Sequence, residues 1–166
     1  LLYLKIQLII LEKKWIYIME NEKAPATLED YIMLHQQRWS GIIAELNTKM
    51  KNFADLIDLQ NVIYAKRQDA TDYYFGILSK LSNLTRAYKA NYSQKYNYYK
   101  TQAQSRYSSE AAINAQIDAD FRDEKYQIEL LDQHAKYISE TIKTIDNLIY
   151  GISSRIRIEE LINHVK

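Results

Sequence analysis

Apolar and aromatic positions recur in steps of three and four along most of this chain. The first run is Leu28, Ile32, His35, Trp39, Ile42, Leu46, Met50, Phe53 and Ile57. That spacing keeps one face of an α-helix apolar. It predicts a helix about 45 Å long at a rise of 1.5 Å per residue. Thr27 stands where a cap belongs, and Glu29 and Asp30 fall in the first turn, against the positive end of the helix dipole. Between Asp58 and Asp72 the pattern loosens, which predicts a turn or bend near residues 69–72. A second run follows: Tyr74, Ile77, Leu81, Leu84, Tyr88, Tyr92, Tyr96 and Tyr99. Polar residues from Thr101 to Ser109 read as a loop or frayed helix end, with Ser108 or Ser109 capping the next helix.

The last run is the longest. Ile113, Ile117, Phe121, Glu124, Ile128, Leu131, Ala135, Ile138, Ile142, Ile145, Ile149, Ile152 and Ile156 predict one helix, ended by Gly151 or Ser153-Ser154 and followed by a short final one. Isoleucine dominates both seam positions, a choice that favours assemblies above the dimer in parallel coiled coils. The expectation is an all-α protein of long amphipathic, coiled-coil-like helices forming an oligomeric helical assembly. Ile128, Leu131, Ile138, Ile142, Ile145 and Ile149 are the expected oligomerisation residues, on seams too long to be covered within one protomer.

Composition supports helices. Three glycines and one proline in 166 residues are too few for the turns of a sheet protein. There is no cysteine, which excludes disulfides and thiolate metal sites and fits a cytosolic protein. The opening stretch, residues 1–18, is apolar but interrupted by Lys5 and Gln7, and is too short to span a membrane. Its basic residues follow the apolar run, the reverse of a signal peptide. Met19 resembles a start, so residues 1–26 are expected to be a non-native or flexible lead-in to a single helical domain over 27–166.

Charge changes the picture further. Residues 73–109 contain no Asp or Glu, six cations and eight of the fifteen tyrosines. Outside this stretch lie sixteen cations and twenty-one carboxylates, a net −5, against +1 for the whole chain. Cations meet phosphates, and tyrosine rings offer faces on which bases stack. Arg86, Lys89, Lys95, Lys100 and Arg106 are the candidate phosphate contacts, and Tyr96, Tyr98 and Tyr99 the candidate stacking rings. The competing reading makes these tyrosines the core stripe of a helix. Three rings so close cannot share one seam, so at least one should be exposed.

Other chemistry is sparse. There is no glycine-rich phosphate loop, nucleophile elbow or HExxH, so no catalytic residue is assigned. Glu160 and His164 make half a metal site, and Asp118, Asp120, Asp123 and Glu124 lack the glycine turn of a calcium loop. No metal or cofactor is expected. Those acids read as a solvated face or as partners for a neighbouring subunit's basic block. Trp39-Ser40-Gly41 matches the WxG of small secreted hairpins, but it lies within a continuous helical pattern, so Trp39 reads as a packed core residue.

Lys95-Tyr96-Asn97-Tyr98-Tyr99, then Arg106-Tyr107-Ser108-Ser109-Glu110, Asp118-Ala119-Asp120 and the isoleucine helix ending at Ser154-Arg155 stand in an order that resembles the UvsY-like family of phage recombination mediators. Upstream, Glu45-Leu46 to Phe53 and Ile57-Asp58 resemble its N-terminal segment, so the likeness spans roughly residues 42–162 by motif order. Ser93 replaces a basic residue of that family, Lys100-Thr101-Gln102 replaces a glycine-rich turn, and Glu159 and Glu160 stand in a more basic tail. The resemblance implies a non-enzymatic, ring-like homo-oligomer in the host cytoplasm. It would bind single-stranded DNA and help a phage recombinase displace the single-strand-binding protein. The rival expectation is a structural coiled-coil component of a phage virion or scaffold.

Overall fold

The computed structural model describes residues 25–51, 56–101 and 109–164, and these form four helices with no strand among them. They are α1 (Leu28–Lys49), α2 (Leu56–Thr101), α3 (Glu110–Asp120) and α4 (Arg122–His164). The all-α expectation holds. Expectations about residues 1–24, Phe53, Arg106 and Tyr107 lie outside the described residues. The chain divides into two compact units, Leu1–His35 and Gln36–Lys166. In the first, Thr27 Oγ1 accepts from the Asp30 N–H at 3.1 Å, the predicted cap. Ile32 is buried there, and the Tyr31 and His35 rings meet at 4.3 Å.

Three boundaries differ from expectation. The helix predicted to reach Ile57 stops at Lys49. Asn47 and Thr48 turn their side chains back to the carbonyls of Ile43 and Ala44, at 3.0 Å each. Such back-bonding weakens a helix, and the last turn tightens as the Lys51 N–H reaches the Thr48 carbonyl. Ile57 belongs to α2 and is exposed.

The turn expected as one alternative near residues 69–72 is not formed, and α2 runs unbroken for 46 residues. Its buried line there is Leu56, Ile63, Ala70 and Ile77, every seventh residue, with Leu59 beside it. Ala70 is small and polar residues surround the line, so the pattern of large side chains fades although the burial continues.

The final helix is interrupted once, at Phe121, which leaves helical geometry (φ −113°, ψ 22°) while its N–H still reaches the Ile117 carbonyl. Asp118 and Asp120 sit at the unfavourable negative end of α3, whereas Asp123 and Glu124 sit at the favourable positive end of α4. Beyond that point α4 does not end at Gly151 or Ser153-Ser154 but continues to His164. A β-carbon on Gly151 would lie 3.3 Å from Met50 Cε, so this glycine serves close packing against the end of α1.

In the second unit α2 and α4 are antiparallel. Gln60 meets Ser153, Arg67 pairs with Asp146, and Tyr73 meets His134. From Gln36 onward α1 runs parallel to α4: the Tyr137 hydroxyl donates to the Gln36 carbonyl at 2.9 Å and Arg155 Nη1 donates to the Met50 carbonyl at 2.6 Å. The Arg155 cation thus satisfies a carbonyl at the C-terminal end of α1. Trp39 and Leu46 are buried, so Trp39 is a core residue as expected. On α4 the deepest line is Leu131, Ile138, Ile145 and Ile152, again seven apart. Each fully buried isoleucine contributes about 1.5–3 kcal/mol relative to exposure.

Among the described residues two polar side chains lie in this core, Thr141, whose hydroxyl donates to the Tyr137 carbonyl at 3.0 Å, and His134. His134 is fully buried, with Nε2 2.8 Å from the Tyr73 hydroxyl and its ring stacked near Tyr137. Burial, reinforced by the charge of Lys80, pushes its pKa down to about 4. Burial likewise pulls the Lys80 ammonium down to about 8. Among the described residues no helix is long and apolar enough to cross a membrane, and no cluster of side chains suits a metal ion.

Candidate nucleic-acid interface

The basic, tyrosine-rich stretch forms the C-terminal half of α2, and α3 packs against it. Ser109 caps α3, its hydroxyl accepting from the Ala112 N–H at 3.2 Å, as one of the two predicted caps. The short helix then lays Ile113 and Ile117 onto α2. Together with Phe121 and Tyr99 they make a buried cluster, edged by Tyr88, Tyr92 and Tyr96. Tyr88 meets the Phe121 ring edge-on at 5.8 Å.

Three of these tyrosines, Tyr92, Tyr96 and Tyr99, find a polar partner on α3 for the hydroxyl. Tyr92 donates to Asn114 Oδ1 at 3.0 Å and Tyr96 to Glu110 Oε1 at 2.8 Å. Tyr99 donates to Asp120 Oδ2 at 2.6 Å, and Lys95 Nζ reaches the same oxygen at 3.1 Å. Gln116 holds the other Asp120 oxygen at 2.9 Å. The Tyr99 hydroxyl, then Gln116 and Lys95, hold the Asp120 carboxyl below its ordinary pKa. The same carboxylate raises Lys95, and the hydrogen bond to Glu110 raises Tyr96. Lys95 also lies over the Tyr99 ring and Lys100 over the Tyr96 ring, each 5.6 Å from the centroid.

The structure therefore divides the predicted site. Tyr99 is only 8% exposed and belongs to the core, Tyr96 is half-buried, and Lys95 is tied to Asp120. For Tyr88, Tyr92 and Tyr99 the core-stripe reading is the correct one. Tyr98 is the exposed ring of the cluster, at 49%. Arg86, Lys89 and Lys100 are exposed and have no carboxylate in ion-pair range among the described residues. At 100° per residue, Arg86, Lys89 and Lys100 lie within about 60° of one another on α2, over roughly 21 Å of its length. Tyr98 points about 160° from Lys100 by the same spacing, so it does not share their face.

The acidic cluster is also resolved. Asp120 serves this chain's own Lys95, and Asp118 pairs with Lys125. The oligomerisation candidates split in the same manner. Leu131, Ile138 and Ile145 are buried inside the chain, while Ile128, Ile142 and Ile149 are half-buried on its flank.

Sequence reasoning overlooked Phe75 and Tyr64. They are 61% and 49% exposed and lie in line with Arg86, each eleven residues from the next, which is three turns and about 20°. That spacing was visible in the sequence; the exposure was not. No protein-family model, curated protein or solved structure matches this chain.

Proposed function

We infer that this chain is a non-enzymatic single-stranded-DNA-binding protein of the recombination-mediator type, acting with a phage recombinase on DNA coated by single-strand-binding protein. What supports the reading most is the exposed row of Arg86, Lys89 and Lys100, unpaired by carboxylates among the described residues, on a helix half that carries no acid at all. Such a row neutralises phosphates without reading bases. Three cations make a modest site, and self-association into a ring multiplies it into one avid surface. The motif order resembling UvsY-like mediators supports the same reading.

The test is binding of a labelled single-stranded oligonucleotide across a range of salt. Each phosphate contact contributes about −0.7 to the log–log salt slope on single strands. Replacing Arg86, Lys89 and Lys100 together by alanine should make the slope shallower by about 2 and weaken binding on all sequences alike. An unchanged slope in a folded variant would favour the structural virion or scaffold protein instead, a reading supported by the seven-residue spacing of buried positions on α2 and α4.

A further inference from the structure

The exposed face of α2 does not end with its basic residues. Counting back from Lys100 at 100° per residue, Arg86, Phe75, Tyr64 and Ile57 all fall within about 40° of one line. Phe75, Tyr64 and Ile57 are exposed by 61%, 49% and 68%. They are three of the five large apolar side chains that α2 exposes among its described residues, the others being Val62 and Tyr98. The row is thus cationic toward the C-terminus and aromatic toward the N-terminus. Gln68 and Thr71 stand between the rings and Ser79 and Ser82 between Phe75 and Arg86, while Gln68 donates to the carboxylate of exposed Asp72 at 2.8 Å, about 60° off the line of Phe75.

Resting on the single-strand reading above, we propose that Phe75, with Tyr64 one step further, is the base-stacking platform of this surface, and that the strand runs along α2 from Lys100 toward Tyr64. The charge pattern selects this ligand. A helix lying in a membrane interface needs a contiguous apolar face with its cations on the opposite side. Here rings and cations share one side and follow each other end to end. A helix from another copy would need an apolar residue about every 3.5 positions, and this row supplies them only at Ile57, Tyr64 and Phe75. Rings in line with cations, about 16 Å apart along α2, suit a chain that alternates charged backbone with planar bases, and the Phe75 ring is flanked by that of Tyr74 at 5.8 Å. The platform replaces the one expected at Tyr96, Tyr98 and Tyr99, of which Tyr99 is core, Tyr96 is held by Glu110, and Tyr98 faces elsewhere.

The experiment compares an oligothymidylate with an abasic strand of equal length, both titrated into the full chain by fluorescence anisotropy. Phe75→Ala should weaken binding to oligothymidylate about tenfold to a hundredfold, leave the salt slope unchanged, and leave the abasic strand unaffected. Phe75→Trp should restore affinity, and Tyr98→Ala should have no effect. Because Phe75 is exposed, the thermal transition should stay in place for both Phe75 variants. If Phe75→Ala binds as wild type while the triple Arg86, Lys89 and Lys100 variant loses binding, the platform is wrong and the DNA reading stands. If neither variant changes binding, both fall. Equal losses on the abasic strand, or a loss confined to anionic phospholipid vesicles, would make Phe75 an apolar anchor and overturn the proposal.

Discussion

His134 is where one side chain sets a property of the whole fold. Its folded pKa of about 4 lies below the ordinary value of 6.5. The unfolded chain therefore binds the proton more readily in that interval, and stability falls as pH drops from about 6.5 toward 4. Above that interval both states are neutral at this position and the effect vanishes. Asp120 has a depressed pKa, so its contribution is present above the ordinary carboxylate value of 3.8 and is lost only below it. The two windows are separable. Thermal melts of His134→Gln should be flatter than wild type between pH 6.5 and 4, with the steep loss below pH 4 retained. A wild-type protein whose melting temperature is constant between pH 6.5 and 4.5 would contradict this account.

At the scale of elements, α3 acts as a clamp on α2. It covers the tyrosine face with Ile113 and Ile117, and its Asp120 ties down Lys95 and Tyr99. Tyr99→Phe keeps the ring and deletes one hydrogen bond to a charged acceptor, so it should cost about 1.5–3 kcal/mol in chemical denaturation. Tyr99→Ala also opens a cavity and should cost about 3–5 kcal/mol. Asp120→Asn has a different consequence. It removes the carboxylate that holds Lys95 and Tyr99, but at 100° per residue Lys95 lies about 180° from Arg86, off the basic row. Asp120→Asn should therefore lower the denaturation midpoint while leaving DNA affinity and the salt slope unchanged. A steeper salt slope in this variant would show that Lys95 reaches DNA once freed.

For the whole molecule, the proposed ring requires a seam that would join copies of the chain. Ile138 and Ile145 have no exposed surface, so a charge there would be buried without a partner and should unfold the protomer. Substitution at Ile138 therefore cannot separate folding from assembly. Ile142 and Ile149, seven apart on the half-buried flank of α4, can. The double variant Ile142→Lys with Ile149→Lys should sediment as a smaller species than wild type at micromolar concentration while keeping its helical circular dichroism. Ile138→Ala should instead lose about 2–5 kcal/mol of stability. A wild-type chain that sediments as a monomer would remove the ring from the proposal.

The sequence by itself determined the helical class, because scarce glycine and proline and apolar steps of three and four leave no other regular structure. It determined the cap at Thr27 and narrowed the next to Ser108 or Ser109, since caps depend on neighbouring residues, and it marked residues 73–109 by their missing acids. Tertiary structure decided what local pattern could not. Ala70 keeps α2 continuous because burial, not side-chain size, defines its seam. Phe121 ends α3 where the acids Asp118 and Asp120 meet a helix C-terminus, while Asp123 and Glu124 begin the next helix. Above all, the partners of the tyrosines come from residues more than ten positions away on α3. Glu110, Asn114 and Asp120 choose which rings turn inward, and charge counted along one stretch cannot see carboxylates that arrive from another element. The row from Tyr64 to Lys100 was written in the spacing of α2, but only the packing of α3 and α4 against its other faces left it open.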